Sequence, residues 1–183
     1  MSIEIVDVSE ASFHLLFDWS GRAQGRDAGC KFCLYWEEPD PSKWPGSLSE
    51  RKGTKRQWLR DVEAEYGPCG KLAFLGSELV GYAQFSPPKY LPKVNEYGCA
   101  PPSEEAIFVS CLFVPAQARR RGVGSALVEA ILRDSRARGA QAVETFARKD
   151  SPNNPSGPLG FWLRNGFHIV REDGDFALVR REL

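Results

Sequence analysis

The chain has 183 residues, with 24 lysines and arginines balanced by 24 aspartates and glutamates. Zero formal net charge leaves no global electrostatic footprint for a nucleic acid or an acidic membrane surface, and the length suits one domain with a proper core. Apolar content of 42% and charged content of 26% are those of a globular protein, and no apolar run approaches the roughly 18 residues of a membrane span.

The first residues, MSIEIVDVSE, are acidic and alternating, unlike a signal or transit peptide. A cytoplasmic protein is expected, and with it five cysteines held as free thiols. Residues 3–8 alternate as a strand does. Phe13, Leu16 and Phe17 then fall at helical spacing, with Ser9 the expected N-cap. Residues 20–51, rich in Gly, Pro, Ser and aromatics, read as a long irregular excursion within a single domain spanning 1–183. A helix is predicted over 55–67 from Trp58, Val62 and Tyr66, stopped by Gly67-Pro68.

Residues 71–85 read as a hairpin around Gly76-Ser77-Glu78, and the proline-rich 86–104 as a loop. AIFVSCLFV (106–114) is apolar on both faces, as a central strand is, and Pro115 ends it. The helix after Gly122 carries Val123, Leu127, Ala130 and Ile131 on one face, with Glu129 and Arg133 placed to pair. A strand over 141–147, a short helix in LGFWLRNG and a terminal hairpin around Asp173-Gly174 complete the order β-α-α-β-β-β-α-β-α-β-β, a mixed α/β layout.

The unusual stretch is FVPAQARRRGVGSALV. Three arginines, Arg119 to Arg121, precede a helix N-terminus, whose partial positive charge disfavours cations. A strand that turns through Arg-x-x-Gly-x-Gly into a helix aims several backbone N–H groups one way, and glycine lets a ligand approach closely. A phosphate there turns the arginines from a penalty into a clamp. The plainer alternative is a solvated basic turn. The Lys-Ser/Thr of a P-loop is missing, and a dinucleotide fingerprint fits poorly.

VSCLFVPAQARRRGVGSALV resembles the acetyl-CoA-binding segment of the GNAT N-acetyltransferase superfamily, and GFWLRNGF (160–167) resembles that family's second landmark. The resemblance implies a GNAT fold, a mostly antiparallel twisted sheet of about seven strands flanked by about four helices. It implies acetyl-CoA as co-substrate, no metal, and direct attack of an amine on the thioester. Backbone amides from Arg119, Arg120, Arg121, Gly122, Val123, Gly124 and Ser125 would hold the pyrophosphate. Leu112, Phe113 and Val114 would pair with the pantetheine arm, and the Leu112 amide would polarise the thioester carbonyl. Asn154 and Trp162 are further expected cofactor contacts. Many members carry tyrosine as general acid where this chain has Trp162, which puts the usual acid in doubt.

For the base, the expectation is a water wire from Ser110 to a loop glutamate, Glu105 foremost, with Glu104, Tyr97 and Asp150 as other candidates; Ser110 reads equally as a satisfied strand hydroxyl. Cys111 reads as a small strand residue rather than an acyl-accepting nucleophile. Cys30 and Cys33 form a lone Cys-x-x-Cys, weak evidence for metal. In the implied fold the same region lines the acceptor side, where Tyr35, Trp36 and Glu37 would meet a small-molecule amine. The alternatives are a non-catalytic acyl-CoA sensor and a protein N-terminal or lysine acetyltransferase. A cleft capped by residues 30–45 argues for a small acceptor, and an open one for a peptide. The resemblance also allows a homodimer.

Overall fold

The computed structural model describes residues 2–19, 32–149 and 156–183. The strands are β1 (Ile3–Asp7), β2 (Gly70–Leu75), β3 (Glu78–Ser86), β4 (Ala106–Phe113), β5 (Ala142–Arg148), β6 (His168–Asp173) and β7 (Phe176–Glu182). The helices are α1 (Phe13–Asp18), α2 (Leu48–Glu65), α3 (Val123–Ala137) and α4 (Leu159–Arg164). One sheet runs β1-β2-β3-β4-β5-β7-β6, antiparallel except between β4 and β5. The mixed layout and the element order are those the sequence predicts.

Two apolar layers cover the sheet. On one face Val123, Leu127, Val128 and Ile131 of α3 pack with Trp162 of α4. On the other, Phe13 and Leu16 of α1 and Leu59 and Val62 of α2 pack with Trp36 and Phe108. The central strand β4 is buried on both sides, hence its unbroken apolar run.

Three local expectations are corrected. Helix α2 starts at Leu48, seven residues before the predicted start, because Ser47 and Glu50 form a capping box. The Ser47 hydroxyl accepts the Glu50 N–H at 3.2 Å and the Glu50 carboxylate accepts the Ser47 N–H at 3.1 Å. The irregular excursion therefore ends sooner than residue 51. Ser12, not Ser9, precedes α1, and its hydroxyl turns back to donate to the Asp7 carbonyl at 2.8 Å rather than capping the helix. Glu129 accepts from Arg181 of β7 at 2.7 Å, while Arg133 turns to Asp134. A cross-element partner replaces the expected intrahelical one.

Two irregularities shape the centre of the sheet. The β3–β4 register steps from Gln84↔Cys111 to Phe85↔Val109, leaving Ser110 as an extra residue in a bulge. The β4–β5 ladder covers only Ala106↔Ala142, Ile107↔Val143 and Phe108↔Glu144. Past Phe108 the two strands part.

Candidate active site

The turn between β4 and α3 leaves the first backbone N–H groups of α3 without a side-chain cap. A short 3₁₀ turn, Ala116–Ala118, follows Pro115, and Arg119 Nε closes the loop by donating to the Val114 carbonyl at 2.9 Å. Arg120 has φ of 61°, the only positive value outside glycine among the described residues, and Gly122 has φ of 83°. Alternation of this kind turns successive N–H groups toward one concavity. Helix α3 has no side-chain cap and no acidic residue in its first turn, so no side chain competes for its free N–H groups. Arg119, Arg120 and Arg121 are exposed.

The two glycines of the motif serve different ends. Gly122 is required by its backbone angle. A Cβ on Gly124 would lie 3.1 Å from the Phe161 ring, so that glycine admits α4. A Cβ on Gly81 of β3 would stand 2.9 Å from Val123, which is how closely the start of α3 sits on the sheet.

Leu112, Phe113 and Val114 are half-buried where β4 has left β5, so their backbone edge toward β5 has no strand partner among the described residues. Such an edge can take an added strand.

The α1/α2 face of β4 is roofed with aromatic rings. Trp36 is 2% exposed, stacks on Tyr97 at 5.5 Å and meets Phe108 edge-on. Tyr97 stacks on Phe146 at 4.4 Å, and the Tyr35 and Tyr97 hydroxyls share a hydrogen bond at 3.1 Å. Burial pushes the Tyr97 phenol far above its ordinary range, with the Tyr35 bond adding to it.

Beside this roof lies a buried polar cluster. Glu37 accepts from Lys55 at 2.5 Å and from the Gln84 side-chain amide at 2.6 Å, both through Oε1. Gln84 also donates to Ser110 Oγ at 3.0 Å, and its own amide oxygen accepts from Tyr82. Lys55 is fully enclosed and its second bond goes to the Cys33 carbonyl.

The model of the acetyltransferase (GNAT) family matches residues 30–167 of the chain. The protein belongs to that family. Its fold agrees with solved GNAT structures at low identity. PaiA N-acetyltransferase of Thermoplasma acidophilum, solved with coenzyme A, is 14% identical, covers 100% of both chains and has a TM-score of 0.61. Ribosomal-protein-alanine N-acetyltransferase of Brucella melitensis is 16% identical over 98% of this chain and 99% of its own, with a TM-score of 0.61. An acetyltransferase of Thermus thermophilus is 18% identical over 100% of this chain and 98% of its own, at 0.55. A search of curated protein sequences finds no match.

GNAT acetyltransferases use acetyl-CoA, and the solved Thermoplasma acidophilum neighbour holds coenzyme A. No helix among the described residues is long and apolar enough to cross a membrane, and no group of three or more His, Cys, Asp or Glu among them could hold a metal.

The expected site residues are not all brought together. Ser110 is fully buried and, among the described residues, bonds within the Gln84 cluster. Glu105 lies at the opposite end of β4, bonded to Arg180 at 3.3 Å. Five residues of strand separate the two, about 16 Å. Trp162 is 0% exposed, and its indole N–H donates to the Ser156 carbonyl at 2.6 Å, which anchors α4 in the core. Cys30, Asp150 and Asn154 lie outside the described residues. Tyr35, Trp36 and Glu37 gather on the α1/α2 face of β4.

Sequence reasoning missed Lys55 and Gln84. Lys55 stands at i, i+4 and i+7 with the buried Leu59 and Val62, a charge on an apolar helix face. Gln84 is a polar residue inside a strand that is otherwise apolar over 79–85 apart from Gly81 and Tyr82. Each pattern calls for a buried partner.

Proposed function

We propose that the protein transfers the acetyl group of acetyl-CoA to the primary amine of a small molecule. Acetyl-CoA supplies an activated acyl group on a thiol that leaves readily, since a thiol of pKa near ~8.5 needs little acid assistance. The residues from Arg119 to Ser125 hold the pyrophosphate through backbone N–H groups, and the exposed arginines add charge. Leu112, Phe113 and Val114 pair with the pantetheine arm along the free edge of β4. The Leu112 amide polarises the thioester carbonyl. Trp162, deep in the core with its N–H engaged, leaves departure of the thiolate without a donor from α4.

The observation that carries a small acceptor is the roof over β4. Trp36 is almost wholly enclosed and stacked on Tyr97, so residues 32–38 cover the face that a peptide would have to cross. Tyr35, Trp36 and Glu37 then form an aromatic and acidic lining suited to an amine.

The test joins calorimetric binding of CoA to a thiol-release assay with acetyl-CoA and a panel of primary amines and short peptides. Turnover on small amines and none on peptides is expected. Turnover on peptides alone would replace the small acceptor. Tight CoA binding with no turnover on any acceptor would make the protein an acyl-CoA binder.

A further inference from the structure

We infer that Glu37 is the base that takes the proton of the acceptor amine, a role that rests on the acetyltransferase reading above. The two oxygens of this carboxylate differ. Oε1 accepts from Lys55 and from Gln84, whereas Oε2 is buried and has no hydrogen-bond partner among the described residues. The side chain is only 6% exposed, so an unfilled charged oxygen there is costly unless an N–H donor reaches it.

Hydrogen bonds tie this carboxylate to the middle of β4. Both amide hydrogens of Gln84 are engaged, one on Glu37 and one on Ser110, and its oxygen accepts from Tyr82. Its orientation is therefore locked. The path from Glu37 Oε1 to Ser110 Oγ is two hydrogen bonds, of 2.6 and 3.0 Å. Ser110 is the bulge residue two positions before Leu112, and the bulge places it beside Cys111, whose side chain belongs to the α1/α2 face. Ser110 itself has no capacity to act as base, since it accepts from the Gln84 side chain and donates to the Gln84 carbonyl at 3.3 Å. Glu37 is linked to Ser110 through Gln84, and its Oε2 has no hydrogen-bond partner among the described residues.

In the step, the amine nitrogen forms its bond to the acetyl carbon and its proton passes to Glu37 Oε2. The C–S bond breaks with its electron pair leaving on sulfur. The proton on Glu37 then reaches the thiolate through solvent, which restores the carboxylate and leaves amide and thiol. Lys55 and Gln84 are positioning residues that hold Oε1 and leave Oε2 to the amine.

The test uses the full chain and 2-phenylethylamine, putrescine and glycinamide as probes, taking forward whichever the wild type acetylates best. E37Q should lower kcat by about 10²–10⁴-fold and leave calorimetric CoA affinity unchanged. It should also weaken calorimetric binding of the amine to the CoA-loaded protein. Weaker amine binding with unchanged kcat at saturating amine would reduce Glu37 to a tether and overturn the inference, as would no change in either. E37D keeps the charge beside Lys55 while withdrawing the oxygen; should E37Q not fold, a folded E37D with wild-type kcat overturns the inference. A wild type that binds CoA but acetylates none of a wider amine panel overturns the acetyltransferase reading itself.

Discussion

Thr145 Oγ1 donates to the Val109 carbonyl at 2.7 Å, directly beyond the last ladder pair between β4 and β5. Both residues are buried, so this carbonyl would otherwise have lost its partner where the strands separate. A side chain of β5 thus completes the hydrogen bonding of β4 at the mouth of the gap. Within the last pair, Glu144 is itself tied to Ser103 and Arg180. The parting of the two strands is braced at the pair and just beyond it.

Thr145→Val keeps the shape and removes the donor. It should destabilise the fold by about 1–3 kcal/mol, the usual penalty for an unsatisfied buried acceptor. Urea unfolding reads this, and Thr145→Ser should recover most of it. An unchanged midpoint for the valine variant would mean that the carbonyl has another partner.

Lys55 and Glu37 form an ion pair with side-chain exposures of 1% and 6%. Lys55→Met leaves a buried carboxylate without its cation and should cost about 3–5 kcal/mol. Adding Glu37→Met should restore much of that stability. Simply additive losses in the double variant, measured by chemical denaturation, would show the pair to be energetically independent.

Gly122 and Gly139 stand just outside opposite ends of α3 with φ of 83° and 80°. Alanine at either position forces a left-handed backbone on a residue with a Cβ, at about 1–2 kcal/mol. The two should match in thermal denaturation, since neither Cβ meets a close atom. Only Gly122→Ala should weaken CoA in calorimetry. Equal CoA affinity for both variants would move the phosphate site away from this turn.

Asp134 of α3 is paired with Lys71 and Arg133. Burial pushes its carboxyl up, but the bonds and charges of Lys71 and Arg133 together outweigh this and hold it below its ordinary value. A carboxyl depressed in the folded state adds stability that is complete above its unfolded pKa of about 3.9 and is lost as the pH falls through the lower folded value. Urea midpoints of wild type and Asp134→Asn should differ at about pH 6 and converge toward about pH 2. Parallel curves would remove Asp134 from the acid response.

Much of the frame was legible because it is written in local pattern. The apolar run of β4 needs burial on both faces, and Gly122 sits in a strand-to-helix turn spelled out by neighbouring residues, so both can be read without a structure. Helix α2 began earlier than its apolar spacing suggests, although Ser47 and Glu50 already carry the capping pattern. The two carboxylates considered for the base differ in how they relate to Ser110. Glu105 is near Ser110 in sequence but far along an extended strand, whereas Glu37 is 73 residues from Ser110 and reaches it through Gln84.

What the sequence by itself determined was therefore the order of elements, the central strand and the turn from Arg119 to Gly124, because each depends on residues a few positions apart. Only the tertiary structure decided that Trp162 belongs to the core, that Trp36 roofs β4, and that one oxygen of Glu37 is occupied while the other has no partner among the described residues. Those features arise where the segment at 32–38, helix α2 and strand β3 meet over the bulge at Ser110. Burial and hydrogen-bond satisfaction at that junction depend on long-range packing, which no local pattern encodes.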